Sequence, residues 1–226
     1  MVSQRVISFR LTGLSPFLAH RDDVDAADAL SAWRKDPANK TMSVAGDDRY
    51  PPWTWSTYLL QDGDKLIMPH EYVAACVCKA AASVVRSRQK TFKDIIGSSF
   101  LLQGDSCEFL VGGKPVPLAP ILALAQEKVF QKQREKADKY GFSLLVKRVR
   151  VGNSKHVRVW PCFPQWEVRG TAELTDDSLT TEIVASIFNV AGKIGLGDRR
   201  PGSPKAPGRF GVFCSEVKDV KEAKAA

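Results

Sequence analysis

The sequence predicts an α+β protein in which helices cover one face of an antiparallel sheet. Three observations predict it. Segments with apolar–polar alternation, the period of a half-buried strand, stand near the start of the chain and around residues 166–174, and a further apolar strand pattern stands near its end. Between them lie two segments with apolar residues at helical spacing. The order of the two types is mixed: strand, helix, strand, helix, several strands, helix, strand.

The first strand is carried by "RVISFRLTGLS", where Ile7, Phe9 and Leu11 alternate with Ser8, Arg10 and Thr12 before Gly13, Ser15 and Pro16 break the pattern. From His20 to about Trp55 the chain is polar and holds the acidic stretch "RDDVDAAD". We read this part as an insertion with one short helix, about Ala26 to Lys35, and a loop; Trp33, Trp53 and Trp55 imply that it packs on something. "LIMPHEYVAACVCKAAASVVRSR" reads as a strand end followed by a helix. Pro69 suits its first turn, and Val73, Val77, Ala80, Val84 and Arg88 lie at helical spacing. A loop, the short strand "CEFLV" and the turn "GGKP" follow. "APILALAQEKVFQKQREKADKYG" reads as one helix ending at Gly141.

"FSLLVKRVRV" and "HVRVW" flank the turn "GNS" and predict a hairpin. In "WEVRGTAEL", Trp166, Val168, Gly170, Ala172 and Leu174 share one face. "TDDS" predicts a helix start, since Asp and Ser side chains accept first-turn N–H groups. Leu179, Ile183, Ile187, Ala191 and Ile194 continue it as a buried stripe. "RFGVFCSEV" is the last strand. The simplest arrangement with this order is a β-α-β-β-α-β, ferredoxin-like core with insertions.

At 226 residues, 44% of them hydrophobic, the chain can bury a sizeable core. Its five cysteines, Cys76, Cys78, Cys107, Cys162 and Cys214, form no C-x-x-C pair and predict free thiols in a reducing cytoplasm. The N-terminal stretch carries charges where a signal peptide needs an apolar run, and no stretch is long enough to span a bilayer. We therefore expect a cytoplasmic protein with no membrane partner, no metal and no cofactor.

The formal net charge is +8, and it is clustered. From Lys128 to Arg169 eleven basic residues face three acidic ones; from Lys193 to Arg209 five face one. Such clusters suit a polyanionic partner. In "KRVRVGNSKHVRVWPCFPQW", strand geometry puts Arg148 and Arg150 on one face, and His156, Arg158 and Trp160 on one face. Cations interleaved with an aromatic ring fit single-stranded nucleic acid, whose phosphates meet the charges while a base stacks on the ring. The plainer alternative pairs these arginines with Asp22, Asp23 and Asp25 and buries the tryptophans. The second cluster, "GLGDRRPGSPKAPGRFG" from Gly195 to Gly211, is much longer than an ordinary helix-to-strand connection. Its glycines allow close backbone approach, and it carries Arg199, Arg200, Lys205 and Arg209. Because the helix precedes the glycines and no G-K-[ST] follows, it is not a mononucleotide loop.

Three phrases carry a resemblance: "ISFRLTGLSPFLAHR", "LIMPHEYVAACVCKAA" and "IGLGDRRPGSPKAPGRFGVF". They resemble the first strand, the proline-started first helix and the glycine-rich loop before the last strand of the repeat-associated mysterious protein superfamily, which supplies backbone subunits and repeat-processing nucleases of CRISPR systems. The order of motifs is most similar to a group of phage and mobile-element proteins with an arginine-rich strand, a "P-x-F-P-x-W" phrase and a "GLGDWRP…GRF" ending. Here Arg199 stands where a tryptophan is usual, and the stretch before Gly208 is longer. The resemblance implies one domain over residues 1–217 with a modified RNA-recognition-like fold, a thumb-like or inter-subunit insertion at 22–60, and a polar tail at 218–226. It further implies binding of single-stranded RNA or DNA by a homo-oligomer or a subunit of a larger ribonucleoprotein, in a bacterial or phage-infected cell. Phosphates would be held by Arg148, Arg150, Arg158, Arg199, Arg200, Lys205 and Arg209; bases or sugars would meet Lys155, His156 and Trp160. Reversing the charges of Arg150 and Arg158 should then abolish binding without changing stability.

Catalysis has less support. In the repeat-processing relatives a histidine near the first strand acts as general base in metal-independent RNA cleavage, and His20 is close to that position. The carboxylate pairs Asp22–Asp23, Asp47–Asp48 and Asp176–Asp177 lack further metal ligands at a useful spacing. The expected function is non-catalytic binding; an endoribonuclease using His20 and a phage structural or scaffolding protein are the alternatives.

Overall fold

The computed structural model describes residues 5–42, 46–88, 90–204 and 207–220. The chain is a mixed α/β protein with antiparallel sheets and, among the described residues, six α-helices. In chain order these are β1 (Arg5–Gly13), β2 (Phe17–Leu18), α1 (Val24–Lys35), β3 (Gln61–Asp62), β4 (Lys65–Met68) and α2 (His70–Ala81). Then come β5 (Val85–Ser87), β6 (Lys90–Thr91), α3 (Lys93–Ser99), β7 (Phe100–Leu102), β8 (Cys107–Val111) and β9 (Lys114–Pro115). The last third holds α4 (Leu118–Ala125), α5 (Phe130–Lys136), β10 (Ser143–Val151), β11 (Ser154–Phe163), β12 (Glu167–Leu174), α6 (Thr181–Ile194) and β13 (Phe213–Asp219).

These elements fall into two compact units. Residues 22–60 belong to the second unit, Leu18–Leu66 with Val116–Pro164. The first unit is Met1–Phe17, Ile67–Pro115 and Gln165–Ala226. Strand β13 continues to Asp219, two residues into the expected tail.

In the first unit the strands lie in the order β13-β1-β12-β8-β4, each antiparallel to its neighbour. The alternation in β1 does what its sequence predicts: Ile7, Phe9 and Leu11 are buried while Arg10 is exposed. Val168, Ala172 and Leu174 of β12 join them on the covered face. Helix α6 lies against this face, with Phe188 stacked on Phe9 at 5.1 Å between ring centroids and Val184, Ile187 and Ala191 fully buried. Helix α2 packs on α6, and the Cys76 thiol donates to the Ala191 carbonyl. The start of α6 differs from the expectation. Thr180, not the "TDDS" stretch, is the N-cap and accepts from Ile183 N. Asp176 instead accepts from Ser178 N at 2.8 Å, closing a turn that leaves Leu179 fully buried ahead of the helix.

In the second unit β10 and β11 form a long antiparallel hairpin, in register from Ser143↔Cys162 to Val151↔Ser154, with Gly152 and Asn153 as its turn. The helix expected through residues 119–140 is broken into α4 and α5. The reason is Gln133, which is fully buried. Its Nε2 donates to the carbonyls of Ala125 and Glu127, satisfying the end of α4, while its Oε1 accepts from the buried Trp55 indole at 2.6 Å.

Candidate nucleic-acid interface

The β10–β11 hairpin carries five cations between Lys147 and Arg158 and no acid. Register decides where they point. Directly opposite residues share a face, so Arg150 and Lys155 stand together, and Arg148, two residues away, lies on that face. All three are exposed, and none forms an ion pair with another described residue. The opposite face holds Lys147 against Arg158, Val149 against His156 and Leu145 against Trp160. The two arginine sets predicted from the sequence thus occupy opposite faces of one ribbon.

The Arg158 face is built as structure. Residues Gly46–Asp48 run alongside β11, with Val157 N donating to Gly46 O at 2.8 Å and Asp48 N donating to Val157 O at 3.0 Å. This brings the Asp48 carboxylate, only 3% exposed, against Arg158 Nη1 at 3.0 Å. The same carboxylate accepts from the Tyr58 hydroxyl at 3.0 Å and from Val159 N at 3.3 Å. Burial opposes the charge on Arg158, but Asp48 and Tyr58 outweigh it and hold the guanidinium above its ordinary pKa. Burial also pushes the Tyr58 hydroxyl up to about 12, with Asp48 adding to the effect.

Trp160 is 4% exposed, so its ring is core and has no face to offer a base. His156 is half-buried, and its ring packs over Gly46, whose φ of 74° and missing Cβ make the space. Its Nδ1 is buried with no hydrogen-bond partner among the described residues. The acids that neutralise this ribbon are thus Asp47 and Asp48, not Asp22, Asp23 and Asp25. Asp47 sits in a two-point pair with Arg49, at 2.9 and 2.6 Å. Burial works against its charge, yet Arg49 and, more weakly, Arg148 keep the carboxyl below the usual range.

The glycine-proline loop belongs to the first unit. It doubles back on itself: Leu196 N donates to Gly211 O at 2.9 Å, Gly202 N to Ile194 O at 2.8 Å, and Gly208 N to Arg200 O at 3.2 Å. Gly211 shows why glycines are needed. Its φ is 70°, and a Cβ there would overlap the Leu196 carbonyl. Arg209 is exposed and forms no ion pair among the described residues. Arg199 takes a left-handed φ of 49° and its N–H donates to Asp198 at 2.7 Å. Arg200 is half-buried and donates to Gly197 O at 2.6 Å. Lys205 lies outside the described residues.

Under this loop is a cavity of about 580 Å³, lined by Tyr72, Cys76, Lys79, Leu196 and Arg200 among others. Lys79 reaches from α2 to donate to Gly202 O. Burial pushes the Cys76 thiol up to about 12, so at neutral pH it is a packed, protonated group. The uncovered sheet face of the same unit holds a second cleft, of about 470 Å³. There Glu167, buried despite its polar-face position, bridges Arg10 and Arg169, which stand directly opposite each other on β1 and β12.

His20 lies in the second unit with its ring 4.6 Å from that of Tyr58. Among the described residues there is no cluster of three or more His, Cys, Asp or Glu placed to hold a metal ion. The described cysteines are all free thiols, and no described helix is long and apolar enough to cross a membrane. The sequence reading missed Asp48 and Tyr58 as partners of Arg158. The signal was present in "GDDRYPP", an acidic pair ahead of an aromatic residue, but nothing in local spacing ties residue 48 to residue 158. No protein-family model matches the chain, and no curated protein matches it.

Proposed function

We propose that this chain is a non-catalytic binder of single-stranded RNA or DNA, held by backbone phosphates and assembled with other subunits along the strand. One observation carries the reading. Arg150 stands directly across from Lys155, with Arg148 on the same face, all exposed and in no ion pair among the described residues; the acid that feels Arg148 is Asp47, already paired with Arg49. Like charges opposed across a ladder destabilise it. A polyanion laid along that face turns the repulsion into attraction and releases counterions as it binds. The Arg158 face plays a different part: it fastens the ribbon to Asp48 and Tyr58 and so presents the other face to solvent.

Two further features support the reading. Taken with α2 and α6, the strands β1, β8, β12 and β13 follow a β-α-β-β-α-β path with the fourth next to the first and the second at the far side. That path supports a ferredoxin-like core of the kind the motif resemblance implies. Helix α1 buries none of its residues, which suits an element that meets another subunit.

Purification from expressing cells under low salt, followed by nuclease typing of any co-purifying polynucleotide, tests the proposal and assigns RNA or DNA. Clean protein with no polynucleotide, and no binding to labelled oligonucleotides of either kind, overturns it. Comparing wild type with His20→Ala on a labelled structured RNA addresses the nuclease alternative. Cleavage by wild type alone would replace binding by catalysis as the function.

A further inference from the structure

A third cationic element, in the first unit, is absent from the sequence reading. Helix α2 ends at Ala81, and β5 and β6 then form a short hairpin before α3 begins at Lys93. Within eight residues stand Arg86, Arg88, Lys90 and Lys93, with no acid until Asp94. The base of the hairpin is anchored: Ala80, Ala81 and Phe92 are buried, and Phe92 N donates to Val84 O at 3.1 Å. Beyond the base none of the described residues is buried. Val85, Arg86, Ser87, Arg88 and Lys90 are all exposed, Val85 at 66%. None of the four cations forms an ion pair with another described residue. Arg86 adds to the effect of the Ser178 hydrogen bonds that hold the Asp176 carboxyl below its ordinary range.

Such a hairpin has no folding reason for its composition. A two-stranded ribbon that buries nothing adds little stability. Its tip also runs against local preference: Arg88 has φ 39°, a left-handed conformation that Gly or Asn adopts far more readily than a long side chain. A non-glycine residue kept in that region, at an exposed tip and surrounded by cations, points to a requirement outside the chain. We infer that the β5–β6 hairpin is a second phosphate-contacting arm, with Arg86, Arg88 and Lys90 meeting the backbone of single-stranded nucleic acid. The inference rests on the proposed binding function and adds a contact in the unit that lacks the β10–β11 ribbon.

The test is fluorescence anisotropy with labelled single-stranded RNA and DNA homopolymers, each titrated over a range of salt. Three chains are compared: wild type, Arg86→Gln/Arg88→Gln/Lys90→Gln, and Arg148→Gln/Arg150→Gln/Lys155→Gln. Three lost phosphate contacts at about 0.7 each lower the log–log salt slope by about 2 and the affinity at 0.1 M salt about 100-fold. Arg88→Gly separates contact from architecture. It relieves the left-handed backbone, so its melting temperature matches or exceeds wild type while affinity drops about fivefold. Wild-type slope and affinity in the hairpin variant, alongside loss in the ribbon variant, overturn this inference and leave the binding function standing. Absence of binding by wild type overturns both.

Discussion

Replacing Arg158 by alanine separates a structural arginine from a ligand-binding one. The substitution leaves Asp48, 3% exposed, with the Tyr58 hydroxyl and Val159 N–H but without its cation. Removing one partner of a fully buried ion pair costs about 3–5 kcal/mol. Arg158 itself is 33% exposed, so solvent and salt already screen part of the pair, and Asp48 keeps two donors. A loss of about 2 kcal/mol follows, in line with a hydrogen bond to a charged group. With a urea m value of about 2 kcal/mol/M, the midpoint moves down by about 1 M. Tryptophan fluorescence in urea reports it directly, because Trp55 and Trp160 are core residues of the same unit. The variant Asp48→Asn, alone and combined with Arg158→Ala, completes a double-mutant cycle. The double variant should lose less than the sum of the singles. An unchanged midpoint together with a large loss of oligonucleotide affinity refutes the reasoning and returns Arg158 to the phosphate-binding set.

Two further outcomes follow from burial. The Tyr58 hydroxyl, raised to about 12 against an ordinary value near 10, adds stability that is complete below pH 10 and is lost as pH rises from 10 toward 12. Urea midpoints measured across that window should fall more steeply for wild type than for Tyr58→Phe; parallel curves would contradict the assignment. Iodoacetamide at pH 8, followed by mass spectrometry, should label the exposed Cys214 in native protein and spare Cys76 and Cys107, whose thiols burial pushes up to about 12. Equal labelling of Cys76 would mean that the cavity beneath the glycine loop opens in solution.

Where local periodicity governs an element, the sequence was legible. The alternation of Ile7, Phe9 and Leu11 named the buried face of β1, and the spacing of Ile187 and Ala191 named that of α6. Turn chemistry was legible too, since Gly152 and Asn153 do join the two basic strands. What escaped is what depends on distant partners. Gln133 breaks a helix because Trp55 and two carbonyls meet it, and no window of neighbouring residues shows that. Arg158 was grouped with the other arginines because its neighbours are basic, whereas its partner, Asp48, is 110 residues away in sequence. Trp160 alternates like a surface aromatic but is buried, because the far half of β11, from Val159 to Phe163, is core. The helical spacing predicts a helix through Arg88, but α2 ends at Ala81 and the chain turns into a hairpin whose strands are two and three residues long, too short for a period of two to register. The close backbone approach that the glycines of the glycine-proline loop allow is used within the loop itself, which folds back on its own carbonyls.

The salt dependence of oligonucleotide binding by the β10–β11 ribbon tests the central claim most directly. Arg148, Arg150 and Lys155 are exposed on one face, so their conversion to glutamine should leave the urea midpoint within about 0.2 M of wild type. The same change should flatten the plot of log affinity against log salt by about 2 in slope. Binding by wild type that does not respond to salt, or a triple variant that keeps the wild-type slope, would contradict the account.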